Sequence, residues 1–286
     1  PTLICVFILC LLLFSKSNLA AAKSGLSLWV NSVLPSLLPF FIATELLGYT
    51  NIVNVLGKAL NKLMRPIFNV PGAGAFALMM GISGYPVGAK IVSNLKEQKL
   101  CTNIEAERLL AFTNNSGPLF IVGTVGVGMF YDFSLGMILF GIHVLSTLTV
   151  GFLFRWWGKS KERKYRNSEC ISSPSTLSFS NLGEVLSKSI ISSINTVLMI
   201  GGFVVLFSII ISMLSTSNVL HIIANFLKIF HIPNYLSMSF LAGFLEVTNG
   251  LFYITTLNVC SFKLKAMLCS FVLGFGGFSV LLQVLS

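Results

Sequence analysis

The sequence is short of charge, and of acidic residues above all. Of its 286 residues, 10% are Asp, Glu, Lys or Arg, where soluble domains carry about a quarter. Nine residues are acidic against nineteen basic. The three histidines, His143, His221 and His231, have no acidic neighbour in sequence. No HExxH, GxSxG or phosphate-loop pattern occurs. Six cysteines (Cys5, Cys10, Cys101, Cys170, Cys260, Cys269) lie scattered, without a CxxC or metal-ligand spacing. They read as small apolar packing residues. The sequence therefore gives no support to catalysis, a metal centre or a resident cofactor, and the expectation is a protein that is not an enzyme.

What is abundant is apolar. The hydrophobic fraction is 55%, with 25 Phe, and mean hydropathy is +0.87. One soluble core cannot hide that much apolar surface, so the chain reads as an all-α, polytopic membrane protein. Its net charge of +10 sits mostly in loops. The positive-inside rule explains that without a nucleic-acid partner.

Apolar runs occupy 3–14, 26–47, 70–92, 109–129, 133–154, 190–214, 232–257 and 266–285. The first is shorter than the roughly 20 residues that cross a bilayer, and the last reaches the end of the sequence. The expected reading is a piece of a longer protein. A secretory signal peptide ending near Leu19-Ala20-Ala21-Ala22 is the competing one. Residues 52–68 place Ile52, Val53, Leu56, Leu60, Leu63 and Ile67 on one helical face, with Lys58, Lys62 and Arg65 off it. Residues 219–230 are a weaker version. Each predicts a helix lying in the interface plane. A Lys/Arg/Ser-rich stretch over 159–181 reads as a linker between halves. The expected organisation is a first helix and loop over 1–25, a first repeat over 26–155, a basic cytoplasmic linker over 156–189, and a second repeat over 190–286.

Two runs are poor straight helices. Residues 70–92 contain Gly81-Ile82-Ser83-Gly84-Tyr85-Pro86-Val87-Gly88, and residues 109–129 contain Thr113-Asn114-Asn115-Ser116-Gly117-Pro118. Lipid tolerates broken helix only where it faces protein or a wet cavity. The second half repeats the pattern. Gly243 and Gly250 match the spacing of Gly81 and Gly88, and 275–279 stand where Asn115–Leu119 stand in the first copy. Gly/Pro-interrupted segments at matching places in two halves point to a transporter site.

Suppose the first broken run of each half is a hairpin that returns to its own side. Fourteen of the nineteen basic residues then share one face, which the positive-inside rule makes cytoplasmic. The two hairpins enter from opposite sides, as an inverted repeat requires. Hairpin tips aim helix ends and free N–H groups at the midplane. The candidate substrate-binding residues are Ser83, Gly84, Tyr85 and Pro86 at the first tip, and Thr113, Asn114, Asn115, Ser116 and Gly117 at the neighbouring break. Glu246, Thr248 and Asn249 follow at the second tip, with Gly276 and Gly277 at its partner break. Glu246 is the sharpest, because an intramembrane carboxylate is functional by default. The bland alternative is a hydrogen bond inside its own hairpin. Glu45 is read as reaching the interface. Lys90 either neutralises an anionic substrate or snorkels to water. Trp29, Trp156 and Trp157 are read as interfacial anchors.

Ser32–Phe41, Gly81–Lys90, Glu105–Gly123 and Gly243–Gly250 together resemble the YlbJ family of sporulation integral membrane proteins, within the broader group carrying the Gate, or nucleoside-recognition, domain. The resemblance covers about residues 26–286. It implies an architecture similar to concentrative nucleoside transporters: two re-entrant hairpins and two unwound helices around the substrate, usually in trimers. For this family it further implies movement of dipicolinate from mother cell toward forespore, across the outer forespore membrane. Dipicolinate is a planar dianion, so Glu246 would repel it unless protonated or bound to a cation. That makes a coupling proton or cation an expectation too. The alternatives are a cation-coupled nucleoside or solute transporter, and a non-transporting spore-envelope assembly protein.

Overall fold

A computed structural model describes residues 2–50, 52–158, 181–227, 229 and 233–285. Among these, all regular structure is helical. In chain order the helices are α1 (Thr2–Leu13), α2 (Ser15–Leu28), α3 (Leu34–Gly48), α4 (Ile52–Phe68), α5 (Gly74–Gly81), α6 (Val87–Glu97), α7 (Asn103–Thr113), α8 (Phe133–Phe154), α9 (Leu182–Thr216), α10 (Val219–Leu227), α11 (Asn234–Leu245), α12 (Val247–Thr256), α13 (Phe262–Phe275) and α14 (Gly277–Leu285). Two π-helical segments, Trp29–Val33 and Leu119–Met129, join them. Most of the expected linker, residues 159–180, lies outside the described residues.

Among the described residues, four helical stretches are long and apolar enough to cross a membrane: Ser15–Gly48, Phe133–Phe154, Leu182–Thr216 and Phe262–Leu285. The first and third form the centre. Pro35 and Pro39 each remove a ladder donor from the first rod, and the π turn Trp29–Val33 precedes them. The rod nonetheless runs on for 34 residues. α9 has 35 residues, roughly 50 Å at the helical rise, and begins at Leu182 rather than at residue 190.

The two rods run antiparallel. Gly25 lies beside Ser208, Trp29 beside Gly201, and Glu45 meets Ser192. Trp29 donates its indole N–H to the Val197 carbonyl at 3.1 Å. It is therefore lodged between the rods, a correction to its reading as an interfacial anchor. The aromatic N–H finds a partner inside the helix pair, which an isolated Trp in an apolar run does not disclose.

α4 is amphipathic as its spacing predicts, except that Leu63, expected on the apolar face, is exposed and Met64 is buried instead. Met64 and Phe68 are buried, Ile52, Val53, Leu56, Leu60 and Ile67 pack on the core, and Lys58, Lys62 and Arg65 face outward. α7 starts at a capping box: Thr102 accepts from the Glu105 amide, and Glu105 accepts from the Thr102 amide. Arg65 pairs with that same Glu105. Arg108 is fully buried and donates to the Trp157 and Asn69 carbonyls. Trp157 donates to Glu107 at 2.8 Å. These contacts tie the ends of α4, α7 and α8 together beside the expected basic linker.

Both broken runs of each half are broken in the structure. α5 and α6 form a helical hairpin turning through 82–86, and α11 and α12 form a second one turning at Glu246. In each, the two glycines of the repeated spacing meet. A Cβ on Gly81 or Gly88 would collide with the Thr113 carbonyl, and one on Gly250 would collide with the Gly243 backbone. The glycines permit a backbone approach that any side chain forbids. The unwound segments also match. Residues 114–117 separate α7 from its π-helical continuation, and Gly276, at φ +78°, separates α13 from α14.

Candidate functional site

The breaks converge. Gly117 of the first unwound segment abuts the Ser83 carbonyl in the turn of the first hairpin. Gly277 of the second abuts Gly243, Leu245 and Val247 at the turn of the second hairpin. Gly276 also sits near the Tyr85 ring, so the second break reaches the first hairpin. Between them lies a small cavity. The first hairpin contributes Gly84 and Tyr85, its neighbouring break Ser116, Gly117 and Phe120, and the second hairpin Glu246, Val247 and Thr248. The last helix adds Val280 and Gln283, and the central rods add Val33, Leu37, Ile200 and Val204. Its volume is about 20 Å³, room for about one water molecule. Pockets that bury small molecules measure about 300 Å³ or more. The cavity as described is therefore too small to hold a small molecule.

Glu246 is 1% exposed. It ends α11 and caps α12, accepting from the Thr248 amide at 3.0 Å, the Asn249 amide at 2.7 Å and Asn249 Nδ2 at 2.7 Å. Its carboxylate thus meets the positive end of a helix. Asn249 Nδ2 also reaches Ser208 Oγ of α9 at 2.9 Å, tying the second hairpin to the rod. The hydrogen bonds inside the hairpin, weighed above as the alternative to function, are present, while the residue still lines the cavity.

At the opposite wall Tyr85 OH lies 2.6 Å from Ser116 Oγ. The Ser116 amide, freed by the break, donates to His143 Nε2 at 3.2 Å. Thr147, one turn further along α8, donates to Asn115 Oδ1 at 2.6 Å, and Asn115 Nδ2 donates to the Phe112 carbonyl at 2.9 Å. His143 and Thr147 therefore satisfy the unwound backbone and fix its shape. Sequence reasoning missed both. Their signal was two polar residues at i, i+4 in an apolar run.

Of the candidates, Gly84, Tyr85, Ser116, Gly117, Glu246 and Thr248 line the cavity. Ser83 donates to the Met80 carbonyl at 2.6 Å, and Pro86 stands at the start of α6. The Thr113 carbonyl fills the notch between Gly81 and Gly88. Asn115, Asn249, Gly276 and Gly277 shape or brace the wall from outside the lining, and Asn114 lies outside it as well. Gln283, buried in α14, was a missed lining residue. Among the described residues no group of three or more His, Cys, Asp or Glu could hold a metal ion.

The Gate family, described as nucleoside recognition, matches residues 30–154, the stretch holding the first hairpin and the first break. The chain is also 41% identical to sporulation integral membrane protein YlbJ of Bacillus subtilis (strain 168), over 94% of this chain and 70% of that protein. The chain belongs to the YlbJ family. It is an integral membrane protein, in keeping with its apolar rods. No solved structure matches it.

Proposed function

We propose that this member of the YlbJ family is a membrane transporter of a small anionic metabolite. The proposed substrate is dipicolinate, moved from mother cell toward forespore across the outer forespore membrane. The observation that carries the reading is the convergence of four helix breaks, in two matched pairs, on one buried cavity with polar groups at opposite walls. Interrupted helices at corresponding places of two halves are how many transporters build a site near the bilayer midplane. The reading takes the two hairpins as re-entrant and the halves as an inverted repeat, with trimers as the assembly. The small cavity then fits alternating access, in which one hairpin at a time leaves the rods. Glu246 faces a dianion only with a proton or cation beside it, so transport is coupled to one of these.

A second reading has specific support. The matched family is described as recognising nucleosides, and no Lys or Arg lines the cavity. A neutral nucleoside meets no charge conflict there. Purified protein reconstituted in liposomes separates the two readings. Labelled dipicolinate accumulates on the first and labelled uridine on the second. Accumulation of neither overturns both and leaves the assembly role.

A further inference from the structure

The transport reading raises a problem of charge. The cavity is lined by one carboxylate and by no Lys or Arg, so an anion must be recognised elsewhere. Lys90 follows Tyr85 by five residues, in the first turn of α6. Its ammonium pairs with the Glu45 carboxylate of α3 and donates to Ser192 Oγ of α9 at 2.9 Å. Ser192 Oγ donates to Glu45 Oε1 at 3.0 Å. One ammonium, one carboxylate and one hydroxyl thus tie the first hairpin to both central rods. The Lys90 side chain is 41% exposed and that of Glu45 25%, so the group is not sealed inside the fold.

Further hydroxyls flank this group. Thr44, beside Glu45, lies 3.4 Å from Ser83 Oγ, and Ser83 adjoins Gly84 of the lining. Ser189 and Ser193 are 0% and 1% exposed, and their hydroxyls have no partner among the described residues. Both lie on the buried stripe of α9 that continues through Val197 to Ile200 and Val204, two residues of the cavity wall. Buried hydroxyls left without partners are costly, and polar residues within membrane spans mark solute paths.

We propose that the seam between α3, α9 and the first hairpin is the route by which solute reaches the cavity, and that Lys90 recognises a carboxylate on that solute. The incoming carboxylate replaces Glu45 on Lys90 and Ser192. That exchange releases the hairpin from the rods and opens the cavity. A compact ammonium with three rotatable donors suits such an exchange better than a fixed guanidinium fork. The inference rests on the transport reading and adds to it where the anion is selected.

The test is chemical and needs no substrate. Ser193→Cys is introduced, and its labelling by an anionic and a cationic methanethiosulfonate is measured over the background of the parent protein. With Glu45→Gln added, labelling rises about tenfold and the anionic reagent is preferred about tenfold over its reactivity with a free thiol, as expected for a cleft of one charge sign. Adding Lys90→Gln removes the preference. Unchanged labelling on Glu45→Gln, in protein that stays monodisperse, overturns the proposal. So does an anionic preference that survives Lys90→Gln. Ser189→Cys serves where Ser193→Cys does not fold. Loss of dipicolinate uptake with a Lys90-dependent preference intact refutes the substrate alone, whereas uptake without that preference refutes the latch alone.

Discussion

Glu246→Gln gives the sharpest energetic prediction. The carboxylate accepts three N–H bonds, two on Oε2 and one on Oε1. A glutamine keeps its oxygen on the Asn249 side and turns its NH₂ toward the Thr248 amide, so donor faces donor. One bond to a charged acceptor is lost, a loss of about 1.5–3 kcal/mol, and the other two fall to neutral strength. Relief from burying a charge offsets part of this. The net loss is about 2 kcal/mol, or roughly 3–4 °C in melting temperature for a chain of this size. Glu246→Ala leaves all three donors without an acceptor and loses about twice as much. Thermal unfolding in detergent, followed by the loss of monodisperse protein on size exclusion, measures both. A Gln variant that melts within a degree of the parent protein would refute the capping argument, and with it the claim that Glu246 fixes the turn of the second hairpin.

Gly88→Ala and Gly250→Ala each push a methyl into backbone, destabilise by about 1–3 kcal/mol or more, and lower the folded yield. Gly141→Ala and Gly202→Ala meet open space and are tolerated, with a helix-propensity gain of up to about 1 kcal/mol; size-exclusion profiles of the four compare them directly. Burial, reinforced by the Glu105 carboxylate, pushes the Cys101 thiol up to about 11. Its thiolate is therefore scarce at pH 8 and grows only as pH rises toward that value. Maleimide labelling followed by mass spectrometry should show Cys101 modified far more slowly than the exposed Cys5, and faster once Glu105 is replaced by Gln.

Much of the fold was legible because lipid leaves so few options for the backbone. Gly81–Gly88 and Gly243–Gly250 announced two close helix pairs, and Thr113–Pro118 announced an unwound segment, since such residues in an apolar run need a protected place. The amphipathic face of α4, Leu63 apart, followed from spacing alone. The pairings across the fold were not legible. Lys90 meets Glu45 and Ser192 across 45 and 102 residues, and Trp29 meets Val197 across 168. Asn115 looked like a substrate ligand, yet Thr147 of α8 turns it away from the cavity. Local sequence names the residues that need a partner and is silent on which helix will bring it.

On the proposed reading, the four breaks surround a solute site. Uptake of labelled dipicolinate by liposomes carrying the parent protein, Tyr85→Phe or Thr248→Val tests it most directly. Both substitutions remove a hydroxyl from the cavity lining and keep the side-chain volume almost unchanged. The parent protein should take up dipicolinate, and each variant should lose about tenfold or more, with insertion and yield preserved. Uptake at the parent rate in both variants would contradict that reading.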